Sequence, residues 1–243
     1  MDYAKNLSSN GPVDVLTHPA LKADVKYIFS VTNTVPECID PKEYSKAATK
    51  AIHNNSVSFG PYPPALGHEP LRELLQESVS NKRSINCDID EILVTDGAGG
   101  ALKMLVNAFI GPGDVVIAEQ YTYLGTLRML LEKGAEVVHV DIDNQGIIPE
   151  SLDHMIKDLE AQNKKPKFIL TIPVYQNPTG ITLSEDRRQA ILDISLKYDI
   201  PIIENESYAD FRIDGPVLPR SIKSLDTHDM VVYVSSFTKL LGC

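Results

Sequence analysis

Lys239 closes the run Ser235-Ser236-Phe237-Thr238-Lys239, directly after the apolar stretch Met230-Val231-Val232-Tyr233-Val234. A primary amine beside small hydroxyls at the end of a buried strand can condense with an aldehyde and act as a covalent catalyst. A Ser-x-x-Lys run is short and degenerate, and most lysines are solvated surface charges, so upstream segments must decide.

Four such segments each have a chemical reading and a plainer one. Asp96-Gly97-Ala98-Gly99-Gly100 opens a helix after an apolar run. Its small residues admit a ligand close to the backbone, and the free first-turn N–H groups bind anions such as phosphate; the plainer reading is a tight turn. Gly97-x-Gly99 with Glu119 downstream also imitates a dinucleotide fingerprint, but Leu102 occupies the position where close helix packing wants Gly or Ala. Glu119-Gln120-Tyr121-Thr122-Tyr123 offers two aromatic rings for stacking on a flat ligand, with core packing as the plainer account. Pro173-Val174-Tyr175-Gln176-Asn177-Pro178-Thr179-Gly180 holds the Asn177 amide in a fixed turn, a far more specific signal than a generic Asn-Pro turn. In Glu204-Asn205-Glu206-Ser207-Tyr208, alternation sets Glu204 and Glu206 on one side and Asn205 on the other. A solvated acidic pair is the plainer reading there.

The elements that must position these residues follow from periodicity and punctuation. Asp40-Pro41-Lys42-Glu43 is a helix start, with Asp40 as cap, Pro41 at the first helical position and Glu43 closing a capping box. That helix runs to about Asn54, and Pro70 opens another through Leu71, Leu74, Leu75 and Val79. From Glu91 on, strands 92–95, 115–118, 136–140, 167–172, 201–204 and 231–234 alternate with helices 98–110, 124–133, 149–160 and one capped by Ser184 that ends near Tyr198. Short, continuous, β-branched strands between helices predict an α/β fold, a mostly parallel sheet with helices on both faces. Ligands then sit beyond the carboxyl ends of the strands, where all the segments above lie.

Composition is that of an ordinary globular chain, with 43% hydrophobic and 23% charged residues over 243 positions. The net charge of -10 argues against a nucleic-acid partner, which needs a basic surface. No apolar run is long enough to span a bilayer. Three scattered cysteines, Cys38, Cys87 and Cys243, fit reduced thiols in the cytoplasm. The first arginine is Arg72, against an Arg-rich transit peptide. The histidines have no metal-ligand spacing, so no metal is expected.

Taken in order from about Tyr62 to Lys239, these segments resemble the class I/II aminotransferases, pyridoxal-phosphate enzymes of fold type I. The Asn-Pro-Thr-Gly turn and the Ser-Phe-Thr-Lys run are the specific parts, and the nearest likeness is to the 2-aminoadipate (kynurenine) and aromatic branch. The resemblance implies transfer of an amino group between an L-amino acid and a 2-oxo acid. It implies that Lys239 holds pyridoxal 5'-phosphate as a Schiff base and then acts as general base. Ala98 and Gly99 would bind the phosphate through backbone N–H groups, aided by the Ser236 and Thr238 hydroxyls. Tyr123 would stack on the ring, and Asn177 and Tyr208 would bond its hydroxyl. Tyr62 would reach the phosphate of a neighbouring subunit, implying a homodimer in the full-length protein.

Three departures qualify the resemblance. Asn205 stands where the family has an aspartate against the ring nitrogen; a neutral amide stabilises a protonated ring far less than a carboxylate. Thr34 stands where the family has a glycine near the substrate carboxylate. The chain also stops at Cys243, ahead of the family's phosphate-binding arginine and C-terminal domain. The expected organisation is an arm and the start of a small domain over 1–54 and a truncated cofactor domain over 55–243, with no C-terminal small domain and no activity of this chain alone. Asn205 gives weight to another pyridoxal-phosphate reaction, a lyase or decarboxylase, and a degenerate cofactor-binding regulator is the third possibility.

Overall fold

The computed structural model describes residues 34–242, the side chains of Ser58 and Phe59 excepted; most of the N-terminal arm therefore lies outside the described residues. Five strands form one parallel sheet: β1 (Val115–Glu119), β2 (Glu136–Val140), β5 (Pro166–Thr171), β6 (Ile202–Asn205) and β7 (Val231–Val234), in the order β2-β1-β5-β6-β7. The strands read as apolar runs because both sheet faces are covered. One core cluster joins Ile117, Ile169, Ile202 and Val231 to α5 (Pro149–Ala161), α6 (Glu185–Tyr198) and the short α7 (Ile222–Leu225). The other joins Val116, Leu170, Ile203 and Val234 to α3 (Gly97–Phe109) and α4 (Leu124–Glu132). Fully buried residues such as Ile117, Leu130 and Ile169 each contribute about 1.5–3 kcal/mol from burial alone.

Two further helices precede the sheet, α1 (Pro41–Asn54) and α2 (Glu69–Arg83). Asp40 caps α1 by accepting from the Lys42 N–H at 2.9 Å. Glu43 does not close the expected capping box; it lies 3.8 Å from Lys46, one turn on. The capping box that does form is Asp88 with Glu91. Ser184 stands at the N-cap of α6, yet its side chain makes no cap bond, and its Oγ is buried without a partner among the described residues.

Residues 92–95 do not form the expected strand. The segment is extended, but its bonds go to its own neighbourhood: the Val94 N–H donates to Leu66 O, and Arg72 donates to Ile92 O. An apolar run predicts extended backbone; a ladder also needs an adjacent strand, which sequence periodicity cannot supply.

A small hairpin, β3 (Ile142–Asp143) with β4 (Gly146–Ile147), was not expected. Gly146 has φ +97°, and a Cβ there would come within 2.5 Å of Leu183, so only glycine fits. Arg187 grips the hairpin, bonding both Asp143 carboxylate oxygens at 2.6 Å. These bonds hold the Asp143 carboxyl below its usual range.

Candidate active site

The loops after β1, β5, β6 and β7, together with the start of α3, gather at the carboxyl end of the sheet. After β7 the chain turns through Ser235–Phe237 into a single helical turn, α8 (Thr238–Leu241), which presents Lys239. The Ser236 hydroxyl donates to Thr238 Oγ1 at 3.1 Å and accepts from the Thr238 N–H at 3.2 Å.

Both hydroxyls face the N-terminus of α3. A Cβ placed on Gly97 would lie 3.6 Å from Thr238 Oγ1 and 3.8 Å from Ser236 Oγ, while one on Gly99 would meet nothing within 4 Å. Gly97 has φ +65°, which turns the chain sharply into the helix, and the first-turn N–H groups have no intrahelical acceptor. Open space, free N–H donors and two hydroxyls make a cradle suited to a phosphate, so the residues present fit the group that the sequence implied.

A cavity of about 650 Å³ is lined by Thr34, Asn177, Pro178, Tyr208, Phe211 and Lys239 among others, the last of these next in sequence to Thr238. The Asn177 amide donates to Tyr208 Oη at 3.4 Å. Lys239 Nζ lies 5.9 Å from the centre of the Tyr208 ring. Thr34 Oγ1 donates to the Lys239 carbonyl at 3.0 Å, so Thr34 touches the backbone of the lysine itself.

Asn205 is buried at the end of β6 and pairs in register with Val234. Its strand neighbour two back, Ile203, packs on the α3 side, and alternation puts Asn205 on that side too. The β6–β7 register is continuous, so Glu204 and Glu206 point away. Asn205 Oδ1 accepts from the Ser207 hydroxyl at 2.7 Å.

Glu204 and Glu206 are not the solvated pair of the plainer reading; both are fully buried. Arg188 Nη1 lies 2.9 Å from Glu206 and 3.6 Å from Glu204, and Arg83 bonds the other Glu206 oxygen. Arg188 also donates to the carbonyls of Leu183, Pro173 and Arg220. It thereby fastens the loop carrying Asn177 to the segment carrying Tyr208. Glu204 accepts the N–H groups of Ile222 and Lys223 at the start of α7. Burial, then the neighbouring Glu206, push its carboxyl upward, against the pull of Arg188.

Two expected residues stand apart from this group. Tyr62 is 99% exposed and makes no part of the cavity wall. Tyr123 is half-exposed at the N-cap of α4, its ring lying against Gly125; Tyr121 is also exposed, so neither tyrosine is core. The sequence reading did not single out Gln176, Phe211 or Ile213, which line the cavity. Adjacency to Asn177 and Tyr208 was the available signal.

Among the described residues, no helix is long and apolar enough to cross a membrane, and no cluster of His, Cys, Asp and Glu could hold a metal.

The five-stranded parallel sheet gathers the lysine after its edge strand, the start of α3 and the Asn177–Tyr208 pair at one end. Residues 34–243 match the model of aminotransferase class I and II, and the chain belongs to that family. It is similar to aromatic-amino-acid aminotransferase 1 of Thermococcus litoralis, 31% identical over 85% of this chain and 49% of that protein. Among solved structures, an archaeal alanine:glyoxylate aminotransferase is 34% identical with a TM-score of 0.87, covering 100% of this chain and 62% of that one. A Pyrococcus horikoshii kynurenine aminotransferase, solved in complex with PMP, is 27% identical with a TM-score of 0.89, over 99% and 60% of the two chains. The chain thus spans about half the length of that first relative and about three fifths of the two solved ones.

Proposed function

We propose that the protein to which this chain belongs is a pyridoxal 5'-phosphate-dependent aminotransferase acting on an L-amino acid and a 2-oxo acid. One observation carries the reading: Lys239 opens onto the same cavity as the Asn177–Tyr208 pair, while Ser236 and Thr238, on either side of Phe237, face the start of α3. When bound, the cofactor supplies an electron sink for the amino acid's α-carbon.

The protein's own residues bind and orient. The Ala98 and Gly99 N–H groups with the Ser236 and Thr238 hydroxyls take the phosphate. Asn177 and Tyr208 would bond the ring hydroxyl, Tyr123 would supply an aromatic face for the ring, and Asn205 would serve the ring nitrogen. Lys239 Nζ would be the amine that holds the cofactor and the base that moves the proton at the substrate's α-carbon. The apolar wall at Phe211 and Ile213 suits a bulky apolar side chain, supporting an aromatic donor; a 2-aminoadipate-like donor, whose side chain ends in a carboxylate, rests on the family resemblance alone. Tyr62, wholly exposed here, serves a neighbouring subunit's phosphate in a cytoplasmic homodimer. We assign residues 1–54 to the arm and the start of the small domain and 55–243 to the cofactor domain.

Borohydride reduction of the pyridoxal-phosphate-treated protein, followed by peptide mass mapping, tests this on the chain and on the full-length protein. A phosphopyridoxyl group on Lys239 is expected in the full-length protein. Labelling elsewhere, or none, overturns the assignment. A keto acid formed with stoichiometric pyridoxamine phosphate marks transamination; ammonia or carbon dioxide marks a lyase or decarboxylase.

A further inference from the structure

Gln176, one residue before Asn177, is 4% exposed, and each of its polar atoms has a partner. Its carbonyl Oε1 accepts from the Thr179 N–H at 2.9 Å and the Thr179 hydroxyl at 2.7 Å. A backbone N–H can only donate, so these bonds fix which side-chain atom is oxygen. The amide nitrogen therefore faces two acceptors, Glu119 Oε2 at 3.0 Å and the Tyr121 carbonyl. The backbone is pinned as well: the Gln176 N–H donates to Ile181 O at 2.8 Å, and Gly180 donates to Gln176 O at 2.6 Å.

Glu119 is the anchor. It ends β1, 3% exposed, and its other oxygen accepts from the Thr171 hydroxyl at 2.7 Å and the Ile172 N–H at 3.1 Å. It makes no ion pair with Lys, Arg or His among the described residues; the donors that face it are the hydroxyl, the backbone N–H and the Gln176 amide. Burial pushes its carboxyl upward, and those three bonds oppose the push. A buried polar network of this kind specifies one arrangement only while every member is satisfied.

We propose that Gln176, held by Glu119, is a positioning residue that sets the Asn177 amide against Tyr208 and the cofactor's ring hydroxyl. Glu119 belongs to the end of the sheet, and Gln176 carries that fixed point into the turn on both sides of Asn177-Pro178. The Asn177–Tyr208 bond is already 3.4 Å long, near the limit of a hydrogen bond, so a small rotation of the turn breaks it. This deepens the reading of the preceding section and rests on it.

The test is an absorbance pH titration of the cofactor–lysine chromophore in the full-length protein. Wild type is compared with Glu119→Gln, Gln176→Met, Asn177→Ala and Gln176→Met/Asn177→Ala. Glu119→Gln keeps the shape of the side chain but sets an NH₂ against the Gln176 NH₂, so it serves if Gln176→Met folds poorly. Loss of a donor to the ionised ring hydroxyl raises the midpoint. The expected result is a rise on the order of 0.5 pH unit in each single variant, with the double variant no higher than Asn177→Ala alone. Unmoved midpoints in Glu119→Gln and Gln176→Met, with only the melting temperature lowered, overturn the proposal and leave the cofactor reading standing. Additive shifts overturn it too, because Gln176 would then not act through Asn177. A wild type without the chromophore overturns both.

Discussion

Asn205 is the residue at which the proposed chemistry is most open to test. Its pairing with Val234 and its place on the α3 side of the sheet leave it facing the proposed cofactor, with Glu204 and Glu206 engaged by arginines on the opposite face. No carboxylate can replace it without a one-residue slip, which would bury every polar partner of that strand on the wrong side. Asn205→Asp is therefore expected to speed the amino-acid half-reaction of the full-length protein about tenfold or more, the equivalent of one pKa unit of added ring-nitrogen stabilisation. Stopped-flow absorbance measures it, and an unchanged rate would mean that the ring nitrogen lies elsewhere. At this scale the sequence nominated residues but not their surroundings. Lys239 and Asn177 stand out in their runs by residue type, and Tyr208 through the family resemblance alone. Gln176 and Glu119 do not, because their role lies in contacts made across a separation of 57 residues.

Among the elements, those fixed by local signals were legible. β2 and β7 fall at the expected bounds, and α1, α5 and α6 begin where Pro41, Pro149 and Ser184 place them. Residues 92–95 differ because pairing is not a local property. The short α7 also escaped notice; four residues carry no period, and what holds it is Glu204 accepting its first N–H groups from the neighbouring strand. That arrangement has a pH signature. Burial raises the Glu204 carboxyl above its unfolded value, so the group's stability contribution is full below the unfolded value of about 4.3 and is lost as pH rises through the folded one. Glu204→Gln removes this titration. The stability of wild type relative to Glu204→Gln should fall between about pH 4 and the folded value of about 8 and level off above it, measured by urea unfolding. A difference independent of pH would show that Glu204 stays ionised throughout.

Across the whole molecule, the site is assembled by a polar layer beneath the loops rather than by the loops alone. The sheet's apolar core ends near Leu170 and Ile203; beyond it lie Glu119, Thr171 and Glu204, fully or almost fully buried: Glu119 fastens Gln176 and is itself held by Thr171, and Glu204 fastens the start of α7. Arg188 is the widest of these links. From α6, fully buried, it bonds Glu206 and the carbonyls of Pro173, Leu183 and Arg220, so one side chain joins the segments after β5 and β6 to the approach to α7. Arg188→Met leaves the buried Glu206 carboxylate facing Arg83 alone and takes from Glu204 its nearest cation, and breaking such a cluster costs about 3–5 kcal/mol. Arg188→Lys should recover little of that, because an ammonium on a flexible stem cannot reproduce the planar fork that reaches the carboxylate and three carbonyls together. Urea unfolding of both variants in the full-length protein distinguishes the cases. Two large and similar losses are expected. A Lys variant near wild type would show that only the charge matters, and a Met variant within about 1 kcal/mol of wild type, the range of an exposed pair, would remove Arg188 as the link between the loops.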